Sequence, residues 1–145
     1  MLTDVDPVID RLVAACQSFP EAVVMLSHGH PVAKAGERGK VFAVVGGGVK
    51  GEASRRERAL LVKPAPEDRE ALEADARFWL PAYYGPAGWL GIDVDEHSDW
   101  QEICELLDAS YRSVAIRRLT ALLDARDQDG EQGAASVAAH AAQEP

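Results

Sequence analysis

Apolar positions recur at helical spacing near both ends of the chain and in short β-branched runs between them. Helices flanking a sheet are the expected arrangement. Val5, Ile9, Leu12 and Cys16, with Val13 beside them, predict an amphipathic helix over 3–18. Thr3 or Asp6 would cap it, and Pro7 is tolerated because it falls in the first turn. Between Glu21 and Pro64 the period shortens, and strands are expected at Ala22–Leu26, Val32–Ala35, Lys40–Val45 and Arg58–Val62. The breaks His28–Pro31, Gly36–Gly39 and Gly46–Gly48 carry glycine or proline turn chemistry, so the four strands read as an antiparallel meander. Gly46–Gly48 is expected to be a flexible hairpin tip, with 49–57 an exposed loop behind it.

Pro64-Ala65-Pro66 opens a second helix at about 66–77, with Glu67 and Asp68 in its first turn. An aromatic loop, 78–89, follows, and Leu90–Val94 alternates as a half-buried strand does. Ser98-Asp99-Trp100-Gln101 reads as a capping box for the last long helix, whose stripe is Trp100, Cys104, Leu107, Tyr111, Ala115, Leu119 and Leu122. Tyr111 belongs to the core with a partner for its hydroxyl. The fold class is therefore α+β: an antiparallel sheet of about five strands with N-terminal, middle and C-terminal helices packed on one face. One domain is expected over 1–126, and the Gly/Ala/Gln/Glu-rich 127–145 is expected to be a disordered acidic tail.

Composition sharpens this picture. The chain has 145 residues, 47% hydrophobic, which suits one core. No apolar run nears the ~18–20 residues of a membrane span, and the acidic N-terminus lacks the basic start of a signal peptide. With only Cys16 and Cys104, read as apolar fillers, a cytoplasmic location is expected. The net charge of −9 opposes indiscriminate binding to nucleic acid or membrane. Yet Lys34–Lys63 holds eight basic and three acidic residues, a net +5, which leaves −14 for the rest.

The pattern P-A-Y-Y-G-P-A-G-W (81–89), the strand and capped helix after it, and S-Y-R-S-V-A (110–115) resemble the MmcQ/YjbR family. G-H-P-V-A-K-A with G-K-V-F-A (29–43), T-D-V (3–5) and L-L-V-K-P (60–64) also fit, so the resemblance spans roughly 3–118. It implies a frataxin-like (CyaY-like) arrangement and DNA binding through two hairpin wings. The basic insertion at 46–57 and the acidic tail depart from the family.

On this basis Lys34, Arg38, Lys40, Lys50, Arg55, Arg56 and Arg58 are the candidate phosphate contacts for DNA or another polyanion. Were 55–58 extended, Arg56 and Arg58 would share one face and Arg55 the other. The alternative is a protein-interaction or small-ligand domain using Trp79, Tyr83, Tyr84 and Trp89. Third is frataxin-like metal binding through Asp4, Asp6, Asp10 and Glu21. His28, His30 and His97 lack a familiar ligand spacing and read as surface or turn histidines. The G-G-G-V-K-G run lacks phosphate-loop spacing. No nucleophile, base and acid fall into a catalytic set, so no enzyme activity, cofactor or metal is expected.

Overall fold

The computed structural model describes residues 6–53, 55–82, 84 and 87–128. Six strands form one antiparallel sheet in the order β1-β2-β3-β4-β6-β5. The strands are β1 (Ala22–Ser27), β2 (His30–Ala35), β3 (Val41–Gly48), β4 (Arg55–Val62), β5 (Phe78–Trp79) and β6 (Leu90–Asp93). The helices are α1 (Pro7–Gln17), α2 (Pro66–Ala74), α3 (Trp100–Val114) and α4 (117–128). The expected meander is present as β1 to β4, each strand antiparallel to the next. The sixth strand is the two-residue β5, paired to β6 inside the stretch read as a loop. Two residues are too few for alternation to be visible.

One face of the sheet carries the main core. Val8, Leu12 and Cys16 of α1, Leu107 and Tyr111 of α3, and Leu119 and Leu123 of α4 pack against Phe42, Val45, Leu60, Val62 and Ile92. Asp6, rather than Thr3, caps α1 by accepting from the Val8 and Ile9 N–H groups. Thr3, Asp4 and Val5 lie outside the described residues. The middle helix, α2, lies by β5 and fully buries none of its side chains; Leu72 alone reaches the core.

The final helix departs from its expected stripe. Asp99 is the cap, accepting from Gln101 and Glu102 N–H, while the Ser98 hydroxyl accepts from Asp95 N–H. Ala115 is extended (ψ 145°), so α3 ends there and α4 starts in a new phase. Consequently Ile103, Leu106, Leu107, Ser110 and Tyr111 are buried, whereas Cys104 is exposed and Leu122 is 44% exposed. Arg112 joins the two helices, reaching Asp108 on α3 (2.6 Å) and Asp124 on α4 (2.6 Å).

The family words resolve into joints. The buried Ser110 hydroxyl donates to the Phe42 carbonyl (2.5 Å) and accepts from Lys63 N–H (2.8 Å), tying α3 to two strands. Tyr111 donates to the Pro20 carbonyl (2.7 Å) and its ring meets Phe19 and Phe42. Residues 127 and 128 continue α4; 129–145, and with them most of the expected tail, lie outside the described residues.

Candidate functional site

Among the described residues no helix contributes to the cluster on the opposite face of the sheet, yet that face is not bare. Val32, Val44, Ala59, Leu61 and Trp89 form a second, smaller core, with Val41, Trp79 and Tyr84 against it. The aromatic segment lies across this face like a strap. It is tied down where Lys50 N–H donates to the Leu80 carbonyl (2.9 Å) and Ala82 N–H to the Gly48 carbonyl (2.8 Å). Tyr84 and Trp89 pack ring to ring at 5.3 Å. The aromatics therefore plug an apolar face, and Tyr83 lies outside the described residues.

Strap and sheet leave a hollow of about 460 Å³ between them. Its apolar wall is Val32, Val44, Leu61 and Ala82, and its polar wall is Ser27, His28, His30, Arg55 and Tyr84. Gly46, Gly47 and Gly48 supply bare peptide. These glycines are not a hairpin tip. They continue β3, Gly47 and Gly48 pair with Arg56 and Arg55, and Gly46 sits at an irregularity in the register with φ +89°. Positive φ signals a break in sequence terms, but a strand can absorb it as a bulge. Each glycine also lets a neighbour in: a Cβ on Gly46 would come 2.8 Å from His30 Nδ1, and one on Gly47 3.1 Å from Leu61 Cδ2.

His30, in phase with Val32 along β2, and Arg55 both line the hollow. Alternation does not carry through β4, because its register with β3 shifts between Leu60 and Arg56. Arg56 stands over the Trp79 ring and meets Asp93, which lies opposite Ala59, whereas Arg58 turns to Asp6 at the start of α1. Arg56 pairs with Asp93 (2.6 Å) and Glu52 (3.6 Å), and Arg58 with Asp6 (2.8 Å) and Glu96 (3.5 Å). Arg55 has no carboxylate partner among the described residues, and no Asp or Glu lines the hollow. Burial pushes the His30 pKa down, and the Arg55 charge adds to this against the opposing Glu57. His30 is accordingly a neutral imidazole at neutral pH.

The basic candidates do not converge. Arg38 and Lys40 lie by the β2–β3 turn, whereas Lys50 and Arg55 lie by the β3–β4 connection, at the far end of an eight-residue strand. That is roughly 25 Å away at about 3.3 Å per residue. Lys34 donates to the Glu37 carbonyl (2.6 Å).

His28 and His30 share the hollow, but His97 lines a different one beside Asp95 and Asp99. Of the proposed metal-binding acids, Asp6 is taken by Arg58 and Glu21 by Arg118 (2.5 Å). No group of three or more His, Cys, Asp or Glu is gathered as metal ligands among the described residues.

Two larger hollows carry less chemistry. One, about 690 Å³ beside α2 and α3, is broad and open, and its Arg112 is already paired with Asp108. The other, about 620 Å³, holds Arg56 and Arg77 against Asp93 and Glu102, charges that satisfy one another.

A family model described as YjbR matches residues 17–113. The chain belongs to the YjbR family. That span of the YjbR-family chain runs from the end of α1 into the last turn of α3, so the sheet, strap and hollow all fall inside it. A crystal structure of a protein from Pseudomonas syringae, a structural genomics target, is similar over 74% of this chain and 97% of its own. The TM-score is 0.58 at 12% identity, a likeness of fold. No curated protein matches. No helix among the described residues is long and apolar enough to cross a membrane.

His30, the glycines and Leu61 were missed as site residues by sequence reasoning. The available signal was the in-phase spacing of His30 with Val32.

Proposed function

We propose that this YjbR-family chain is a non-enzymatic binding module for a small ligand, held between the strap and the open face of the sheet. The observation that carries this reading is the hollow of about 460 Å³, apolar within and lined by an unpaired guanidinium and two imidazoles. Its size lies in the range of small-molecule sites, and its few polar groups on an apolar wall are what such sites use for orientation. The test is an NMR fragment screen on the full chain, repeated with Gly48→Val. A Cβ at Gly48 meets only Ala82 Cβ at 3.9 Å, so the substitution fills space without a clash at that atom. Fragments should shift the amides of Gly46–Gly48 and Tyr84, and Gly48→Val should abolish those shifts. A silent screen, or binding untouched by Gly48→Val, would defeat the proposal.

DNA binding through two wings is the second reading. It is favoured by Lys50 and Arg55 near one connection and Arg38 and Lys40 near another. With about two cations per wing and four in all, the affinity should fall about a hundredfold between 50 and 200 mM salt. Anisotropy of labelled duplex and single strand tests this, and no binding at about 50 mM salt removes it.

A further inference from the structure

The walls of the hollow restrict what it accepts, and the argument here rests on the small-ligand reading above. First, charge: Arg55 is the one side chain of permanent charge in the lining, and no carboxylate opposes it. An anionic ligand gains a charge-assisted contact with that guanidinium that a neutral one does not, and a cation would be repelled. Second, the amount of charge: Arg55 is the one permanent charge in the lining, and it balances one negative charge. A phosphate dianion would bring a second charge that no permanent charge in the lining meets. Third, geometry: a guanidinium offers a planar fork of donors that matches the two oxygens of a carboxylate.

The remaining wall fixes the body of the ligand. Gly46, Gly47 and Gly48 present peptide planes without side chains, and Tyr84 supplies a ring from the strap. Val32, Val44, Leu61 and Ala82 offer no hydrogen bonds. Such surfaces favour a flat apolar body, and aromatic rings stack on aromatic faces in preference to flexible chains. We infer that the site takes a flat aromatic monocarboxylate of about two rings, its carboxylate on Arg55 and its rings between the β3 glycines and the Tyr84 strap. His28 and Ser27, at the β1–β2 turn, line the same hollow and supply donors to a polar substituent on the rings.

The experiment follows backbone amides of the full chain by NMR during titration with three probes: 2-naphthoate, 2-naphthamide and inorganic phosphate. 2-Naphthoate should shift Gly46–Gly48 saturably, and 2-naphthamide should bind at least about tenfold more weakly, as loss of a charge-assisted contact implies. Arg55→Ala should bring 2-naphthoate to the level of the amide, with Arg55→Lys between them because the fork is lost. Arg55 is exposed and ion-pairs with nothing described, so these variants keep the fold, which the unchanged remainder of the spectrum verifies.

Equal binding of acid and amide, or indifference to Arg55→Ala, overturns the charge assignment. Phosphate shifting the same amides as tightly as 2-naphthoate overturns the flat body. Silence of all three probes overturns the ligand class, while the small-ligand reading itself is decided separately by the fragment screen and its Gly48→Val arm.

Discussion

The His30 imidazole occupies the space where a Gly46 side chain would begin: a Cβ there would stand 2.8 Å from Nδ1. The two residues lie on neighbouring strands, and Gly46 also has φ +89°. Gly46→Ala should therefore destabilise the chain by about 1–3 kcal/mol, through backbone strain and displacement of the ring. His30→Ala in the same background removes the clash but leaves the strain, so only part of the loss should return. Urea unfolding of the two single variants and the double variant measures the coupling.

His30 should titrate below its usual value of 6.5, chiefly through burial and then through Arg55. A lowered pKa means that the neutral form is favoured on folding. Its contribution to stability is complete above about 6.5 and is lost as pH falls through the folded value. Arg55→Ala removes one of the lowering causes, so the ring-proton midpoint should move up. An unmoved midpoint would place the guanidinium away from the imidazole.

Ser110 joins α3 to the sheet with two hydrogen bonds, one to the Phe42 carbonyl and one from Lys63 N–H. Ser110→Ala removes both bonds at a buried site, and a loss of about 1–3 kcal/mol is expected in urea unfolding. A loss below about 0.5 kcal/mol would mean that water replaces the hydroxyl without cost.

The cysteines should differ in reactivity. Burial, with a smaller contribution from Cys104, pushes the Cys16 thiol up to about 12, whereas Cys104 is exposed. Since the thiolate is the nucleophile, iodoacetamide at neutral pH should label Cys104 and spare Cys16 until the chain unfolds. Mass mapping of the labelled peptides reads the result.

Acid should erode stability at identifiable carboxylates. The Arg77 hydrogen bonds hold Asp75 down from 3.8 to about 2, and Arg58 and Arg118 lower Asp6 and Glu21. A depressed carboxylate stabilises the fold above its unfolded pKa and ceases to as pH falls through the folded one. The urea midpoint should decline between about pH 4 and 2, and less steeply in Asp75→Asn. An identical slope in the variant would exclude Asp75 as a source.

Much of the fold was legible because local rules suffice where one periodicity persists. Val32–Ala35, the core of β3 and Ala59–Val62 follow β-branched runs, and Tyr111 fell where the stripe put it, with Pro20 as its partner. Reading failed where two local rules compete. Positive-φ Gly46 looked like a turn and is a bulge. Ala115, a good helix former, ends α3 because the chain must turn for Leu119 and Leu123 to reach the same core as Tyr111.

The sequence alone determined the run of strands from Val32 to Val62 and the order of the cations along it. Local backbone preference suffices for this and needs no tertiary contact. Only the tertiary structure decided what each cation meets: Asp93 and the Trp79 ring for Arg56, Asp6 and Glu96 for Arg58, the hollow for Arg55. Asp6 lies 52 residues from Arg58, Asp93 37 from Arg56, and the strap closes over β3 from more than 30 positions away. Such partners are set by chain crossings that no local pattern encodes, and so the seven candidate cations of the basic middle divide in space although they are neighbours in sequence.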